Sequence, residues 1–374
     1  MTNKIFDCAI IGGGLAGLTL AIQLAEAGRY VILFEKGKYP FHKVCGEYIS
    51  MESYDFLERI GIPLSTMNLP MINEVKISSP NGNFITRQLD LGGFGISRYT
   101  LDSTLAELAV QKGVVLLAET KVSDIVFEND TFIIKAAQQT YEAKVACGAY
   151  GKRSLLDKKS ETKLTPKGKN YMAVKYHIKL NFPNNRIELH NFKDGYCGVS
   201  KVDGDKYCLC YLTASQNLRD NGNDIKVMEQ NVLMKNPFLR KYFSEAIFLY
   251  NQPLTISQIS FSKKKAVKDH VLMLGDSAGN IAPLCGNGMS MAMHSSFVAF
   301  QLINEYLDKA ISREGLERLY VRQWNSLFSS KIKTGKYIQH LFGKVTLTNI
   351  SIGILKKLPA LTDRLIEITH GKKF

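Results

Sequence analysis

The 374-residue chain has one tryptophan, ten prolines and seven cysteines, and each scarcity removes a class of protein. Ten prolines are too few for a collagen-like or proline-rich chain. With 45% apolar and 22% charged residues, the chain also lacks the composition of a disordered protein. Seven is an odd number of cysteines and no pair has C-x-x-C spacing, so neither a disulfide scaffold nor a zinc or thioredoxin-type site is indicated. The expectation is free thiols in a reducing cytoplasm. Cys208 and Cys210, one residue apart in an apolar run, would point to one face of a strand. No run of about 18 apolar residues occurs, which argues against a membrane-spanning helix. Asp7 and Gly12-Gly13-Gly14 break the apolar N-terminus too early for a signal peptide. Acidic residues are outnumbered, 34 against 48 Lys and Arg, and the formal charge of +14 favours anionic partners: a phosphate-bearing ligand, an acidic lipid surface or a nucleic acid. No RRM, KH or zinc pattern accompanies the charge, so nucleic acid gains no support.

What is present begins as strand, tight turn, helix, strand. Ile5 to Ile11 is an apolar run suited to a strand covered on both faces. Leu15 to Ala27 has helical periodicity with Gly28 at its end, and Val31 to Phe34 is a second buried run closing at Glu35. A basic turn-rich segment, Lys36 to Glu47, precedes a helix expected near 51–60 and strands near 75–79 and 84–89. A helix is expected over Asp102 to Lys112, and residues 121–148 alternate as a meander with a turn at Asn129-Asp130. From 170 to 262 the pattern is mostly strands, with helical character near 224–243. Val271 to Leu274 then resumes the buried-strand pattern, Gly288 to Leu307 reads as a long helix, and the last forty residues are helical and basic.

Gly12-Gly13-Gly14-Leu15-Ala16-Gly17 satisfies G-x-G-x-x-G between a strand and a helix. In that context Gly12 allows the sharp turn, Gly14 lets a pyrophosphate approach the backbone, and Gly17 lets helix pack on strand. The helix N-terminus contributes unpaired N–H groups and partial positive charge. Glu35, at the end of the second strand, is placed to accept hydrogen bonds from a ribose. Together these predict dinucleotide binding.

A second glycine-rich turn, Leu274-Gly275-Asp276-Ser277-Ala278-Gly279, is followed by Pro283, Gly286, Gly288 and Met289. Here the chain resembles the FAD-dependent oxidoreductase superfamily of group A flavin monooxygenases (aromatic hydroxylase type) and geranylgeranyl reductases. Its second fingerprint is G-D-A-A-G, then Pro, then G-x-G at the start of a long helix. The resemblance implies that Asp276 binds the ribityl or ribose part of FAD, and that Gly286 and Gly288 lie beside the flavin pyrimidine with the helix N-terminus. Lys43-Val44-Cys45-Gly46-Glu47 resembles the R-x-K-x-C-G segment of the reductase branch, with His42 near a position where relatives carry Arg. Arg98 followed by Asp102 resembles an R-x-x-x-D segment whose Arg lies near the adenosine or pyrophosphate. The implied cofactor-binding set is Gly12, Gly14, Leu15, Ala16, Gly17, Glu35, Lys36, Lys43, Cys45, Arg98, Gly275, Asp276, Pro283, Gly286, Gly288 and Met289.

The departures carry information too. In Gly148-Ala149-Tyr150-Gly151, Tyr150 stands where relatives have the Asp linked to nicotinamide handling, and no second G-x-G-x-x-G occurs. NAD(P)H as direct electron donor is therefore in doubt, and a separate reductase is the alternative. The halogenase signature W-x-W-x-I-P is missing, since Trp324 is the single tryptophan. No Ser-His-Asp order, paired acid motif or metal cluster offers a rival centre. Cys45 is the candidate catalytic residue beside the flavin, against the reading of a thiol that simply packs. Tyr196, in Gly195-Tyr196-Cys197-Gly198, is a candidate for the substrate pocket, or a half-buried strand aromatic.

The fold implied is α/β: a Rossmann-type FAD-binding domain from 1–73, 97–157 and 263–331, an inserted β-sheet-rich substrate domain from 74–96 and 158–262, and basic C-terminal helices over 332–374. The function implied is a cytoplasmic FAD-dependent oxidoreductase. Hydroxylation of an aromatic or lipophilic secondary metabolite through a C4a-hydroperoxyflavin leads. Double-bond reduction, as in geranylgeranyl reductases, is the alternative, and a flavin redox sensor without turnover is a third reading. The basic apolar tail suggests peripheral contact with an anionic membrane.

Overall fold

In chain order the computed structural model, which describes residues 5–152, 156, 170–259, 264–279, 286–341, 343–369 and 373–374, begins with β1 (Phe6–Ile11), α1 (Leu15–Glu26), β2 (Val31–Phe34), β3 (Tyr48–Ser50) and α2 (Tyr54–Arg59). There follow β4 (Met71–Ser78), β5 (Phe84–Gly95), α3 (Arg98–Gln111), β6 (Val115–Leu117), β7 (Val122–Glu128), β8 (Thr131–Ala136) and β9 (Gln139–Gly148). The middle of the chain holds β10 (Tyr171–Lys179), β11 (Arg186–Phe192), β12 (Gly195–Val202), β13 (Lys206–Ala214), α4 (Ser215–Arg219), α5 (Ile225–Asn231), α6 (Pro237–Glu245), β14 (Ile247–Phe248) and β15 (Leu254–Ile259). Last come β16 (Val267–Lys268), β17 (Val271–Met273), α7 (Gly288–Leu307), α8 (Arg313–Leu341), α9 (Val345–Lys357) and α10 (Pro359–Thr369).

Two sheets organise these elements. The first runs β16-β17-β9-β1-β2-β6, with β7 and β8 continuing from β9 as a meander. Its central strands are parallel, and all four residues of β2 are buried, as a strand covered on both faces requires. Helix α1 packs on α7, where the Thr19 and Ser296 hydroxyls lie 2.7 Å apart. Gly28 (φ +76°) ends α1 in the left-handed region, and the Arg29 N–H returns to the Leu24 carbonyl.

The second sheet runs β14-β10-β13-β12-β11-β4-β5-β3, with β15 beside β10, and takes in Tyr48–Ser50 from ahead of the expected boundary at 74. Its two faces have different tasks, set by the alternation of strand side chains. On β10, Met172, Val174, Tyr176 and Ile178 face Met228, Leu233, Leu239 and Tyr242 beneath α5 and α6. The intervening Ala173, Lys175 and His177 face the other way, toward residues 42–48.

One element starts earlier than its periodicity suggests. The helix expected from Asp102 begins at Arg98, because Ser97 caps it by accepting from the Thr100 N–H, and Asp102 falls one turn inside. The C-terminal helices lie across the second sheet. Asn349 accepts from the Asn81 N–H, Asp363 pairs with Arg87, and Ile366 packs with Tyr48, Ile72, Val75 and Leu89. Among the described residues no helix is long and apolar enough to cross a membrane.

Candidate functional site

Three turns meet at the carboxyl ends of adjacent parallel strands β17, β9 and β1, where Met273, Gly148 and Ile11 stand in register. The turn after β1 is fixed by sterics. Gly12 has φ +115°, and a Cβ there would lie 2.4 Å from the Ala149 carbonyl oxygen, while a Cβ on Gly17 would lie 2.0 Å from the Gly12 oxygen. Neither position admits a side chain. Gly14 differs, with an ordinary φ of −92°. What a Cβ there would approach, at 3.7 Å each, are Arg98 Nη2 and Lys43 Nζ. Leu15 and Ala16 are buried in the first turn of α1, which carries no acidic side chain and no side-chain cap. Helix N–H groups and two cations thus converge on one small cradle, a donor set that fits a pyrophosphate.

Glu35 closes the loop from below. Its Oε2 accepts from the Gly13 N–H at 2.8 Å and its Oε1 from the Gly37 N–H at 2.9 Å, leaving lone pairs on both oxygens. Tyr39 donates to the Gly13 carbonyl at 2.5 Å. Lys36, the next residue along, is exposed.

Asp102 holds the two cations. Buried to 1% exposure, it takes Arg98 bidentately at 2.6 and 2.8 Å and Lys43 at 3.0 Å. Burial raises its pKa, but Arg98 and Lys43 outweigh that and hold it below the ordinary carboxylate value. It is therefore an anchor for the cradle, and it does not act as a charge in the first turn of α3.

The other two turns abut the first. Gly275 (φ +54°) carries the chain over α1: a Cβ there would lie 3.6 Å from Ala16 Cβ and 3.1 Å from Ala292 Cβ. Its N–H is held by Ser295, and Ser277 accepts from the Gly151 N–H at 2.8 Å. Asp276 sits half-buried in this turn beside the loop. Pro283 lies outside the described residues. A Cβ on Gly286 (φ +68°) would lie 3.4 Å from the ring of Tyr48, Gly288 opens α7, and Asn287 stands at its N-cap without a side-chain cap hydrogen bond. Met289 Sδ is 3.5 Å from Cys45 Sγ, so the Cys-Gly segment and the α7 N-terminus share one wall. The Tyr48 and Ser290 hydroxyls on that wall are buried with no hydrogen-bond partner among the described residues. The wall and the cradle together fit the two ends of a dinucleotide cofactor.

Beneath residues 42–48 lies a buried charge cluster. Glu47 accepts from the Arg98 N–H at 2.7 Å and from Lys175 Nζ at 2.5 Å, while its second oxygen meets His177 Nε2 at 2.6 Å. His177 Nδ1 contacts the Tyr250 hydroxyl at 2.5 Å, and that hydroxyl lies 3.2 Å from His42. Lys175 also donates to the Lys43 carbonyl at 3.1 Å, and Cys208 to the Cys45 carbonyl at 3.3 Å. Burial raises the Glu47 carboxyl, yet His177 and Lys175 bring it below its ordinary value. Glu47, His177 and Cys208 stand close enough to share a metal ion. The Lys175 ammonium occupies Glu47 Oε1, however, and burial keeps the Cys208 thiol protonated. The cluster is an ion pair that staples the Cys45 segment to the second sheet.

Tyr196 is buried with Ala173, Leu212 and Ile259 in an apolar patch packed on Val44, next to Cys45. Tyr150 meets Met273 Sδ through its hydroxyl at 3.4 Å. His294 stacks on Phe374 at 4.2 Å, and burial lowers its pKa to about 4. Of the six described cysteines all are free thiols, four of them buried. Sequence reasoning missed Tyr39, Tyr48, Lys175, His177 and the anchoring role of Asp102. The available signal was the Lys175-x-His177 and Cys208-x-Cys210 spacing, which puts four polar side chains on one sheet face.

With this geometry in hand, comparison with known proteins is direct. Residues 6–320 match the FAD binding domain family. Conditioned medium factor receptor 1 of Dictyostelium discoideum is 26% identical over 362 residues, covering 87% of this chain and 68% of that protein. Digeranylgeranylglycerophospholipid reductase 1 of Methanococcoides burtonii is 23% identical over 359 residues, covering 90% and 84%. The structure of the flavin-dependent brominase Bmp2 superposes with a TM-score of 0.80 at 17% identity, covering 98% and 93%, a likeness of fold.

Proposed function

The chain belongs to the FAD binding domain family and is an FAD-dependent oxidoreductase, and we propose that it is a monooxygenase hydroxylating an aromatic or lipophilic secondary metabolite. The observation that carries this is the apolar patch of Ala173, Tyr196, Leu212 and Ile259 lying against Val44, one residue from Cys45. An apolar roof over the cofactor segment favours an apolar substrate and excludes the water that would waste a reactive oxygen species. FAD would be held by the Gly12–Gly17 loop and α1 at its pyrophosphate, with Arg98 and Lys43 countering the charge. Glu35 would take a ribose, Asp276 the ribityl chain, and Gly286, Gly288 and Met289 would border the flavin with Cys45. Bound FAD supplies the redox step, and the protein supplies access, orientation and dryness.

Double-bond reduction is the second reading. It is favoured by the half-buried Cys45 at the flavin wall and by the reductase of Methanococcoides burtonii among the relatives. Electrons would come from a separate reductase or from transient NAD(P)H docking, and Tyr150 in the usual Asp position favours the former. A lipid-borne substrate would bring the enzyme to an anionic membrane, which its +14 charge favours. The test is deletion of the gene with high-resolution mass comparison of the metabolites. Loss of a product one oxygen heavier than the accumulating precursor supports hydroxylation. A product heavier by two hydrogens overturns it, and Cys45→Ser should then abolish turnover while flavin occupancy is retained.

A further inference from the structure

The last two helices bury one side and expose another that is apolar. Thr348 and Ile352 of α9 and Thr362 of α10 are fully or nearly fully buried against the protein. Leu347, Ile350 and Ile354 follow at helical spacing on α9, Leu361 and Leu365 on α10, and Leu358 stands at the joint. These six side chains are between 37% and 54% exposed. At about 100° per residue, the three on α9 fall within an arc of about 60°, so they form one stripe. The charge of the two helices is predominantly basic. Between 344 and 369 stand Lys344, Lys356, Lys357 and Arg364 against two acids, Glu367 and Asp363, the latter already neutralised by Arg87 at 3.1 Å. Phe84 of β5, 40% exposed, has Lys356 and Lys76 Nζ 5.9 and 5.2 Å from its ring centroid.

We propose that the outer face of α9 and α10 docks on an anionic lipid bilayer, its six aliphatic side chains entering the headgroup boundary while Lys357 and Arg364 meet lipid phosphates. A second copy of the chain is the rival occupant, but Lys344, Lys357 and Arg364 on the rim would repel their own copies there, whereas an acidic surface attracts each of them. The position of the face serves the chemistry. Ile366, on the inner side of α10, packs in the cluster of Tyr48, whose ring borders Gly286 at the flavin wall, so a docked enzyme holds the site next to the lipid. Docking rests on the reading of a lipophilic substrate for its purpose. Vesicle binding needs no substrate, so the two can fail separately.

The experiment is co-sedimentation of the full-length, flavin-loaded protein with vesicles of phosphatidylcholine alone or mixed equally with phosphatidylglycerol. Binding should be about tenfold or more tighter to the anionic vesicles and should weaken with salt. Ile350→Glu with Ile354→Glu should reduce it by about tenfold or more, and Lys357→Glu with Arg364→Glu should bring it to the level of neutral vesicles. Val110→Glu, at an exposed apolar position on α3, should change nothing. All variants alter exposed side chains, and unchanged flavin absorbance and melting temperature would show that each is folded. Absence of binding to anionic vesicles overturns the proposal, as does undiminished binding of the Ile350/Ile354 double variant. So does a native dimer, seen by light scattering, that this double variant dissociates while vesicles go unbound.

Discussion

Glu47 and Lys175, both fully buried, illustrate what single residues contribute to this protein. Removing Glu47 would strand the Lys175 ammonium in the interior, which costs more than the pair contributes, whereas removing Lys175 leaves Glu47 with His177 and the Arg98 N–H. Glu229 is the opposite case, a buried carboxyl with no ion pair among the described residues and only the positive charge of Lys226 nearby. Tyr211 and Tyr176 donate to it at 2.7 and 2.9 Å, but burial outweighs them and pushes its pKa up to about 7 from 4.5. Since the folded value lies above the unfolded one, this group's contribution to stability is complete below about pH 4.5 and is lost as the pH rises through about 7. Glu229→Gln should therefore match the native protein near pH 5 and exceed it near pH 8, by on the order of 3 kcal/mol. Denaturant midpoints at the two pH values measure this, and a constant difference between the proteins would refute it. None of this was readable beforehand, because a glutamate in a helix of polar pattern looks solvated until the two tyrosines of neighbouring strands are seen above it.

Among the elements, the glycine loop and α1 were the most legible, since the turn depends on local sterics. Gly12 and Gly17 touch each other's backbone, and that constraint holds whatever surrounds them. The start of α3 was misplaced by a turn because an acidic residue and a serine both suit a helix N-terminus, and only the Ser97 hydroxyl on the Thr100 N–H decides between them. The loop also separates structural from ligand-binding glycines. Gly17→Ala places a Cβ 2.0 Å from a carbonyl oxygen and should destabilise the protein with or without flavin, by several kcal/mol. Gly14→Ala meets no atom closer than 3.7 Å, so the flavin-free protein should melt within about 2 °C of the native one while FAD binding weakens about tenfold or more. Melting of the flavin-free proteins and flavin titration distinguish them. Equal effects of the two substitutions on the flavin-free protein would remove Gly14 from the binding role.

For the whole molecule, the consequence of this topology is that the proposed FAD contacts come from distant parts of the chain: Gly14, Lys43, Arg98 and Asp276. Such a ligand stabilises the assembled fold alone, so FAD at about a hundredfold excess over its dissociation constant should add about 2.7 kcal/mol. The melting temperature should rise with FAD concentration in the native protein and stay flat in Asp276→Ala. A variant that purifies with full flavin and shows the same rise would take Asp276 out of the site.

What the amino-acid order determined by itself is what short-range physics controls: the periodicity of strands and helices, the glycine turns after β1 and β17, the net charge, and through these the cofactor class. What only the tertiary structure decided is which distant residues meet. Residues 43–47 come against Lys175, His177 and Cys208 because alternate side chains of β10 and β13 share one face. Met289 reaches Cys45 because α7 starts at the same sheet edge. The C-terminal helices show lipid-sized apolar side chains outward because their inner side is already spent on the second sheet. Burial is a property of the assembled chain, so which apolar residues remain exposed appears only after the rest have been buried.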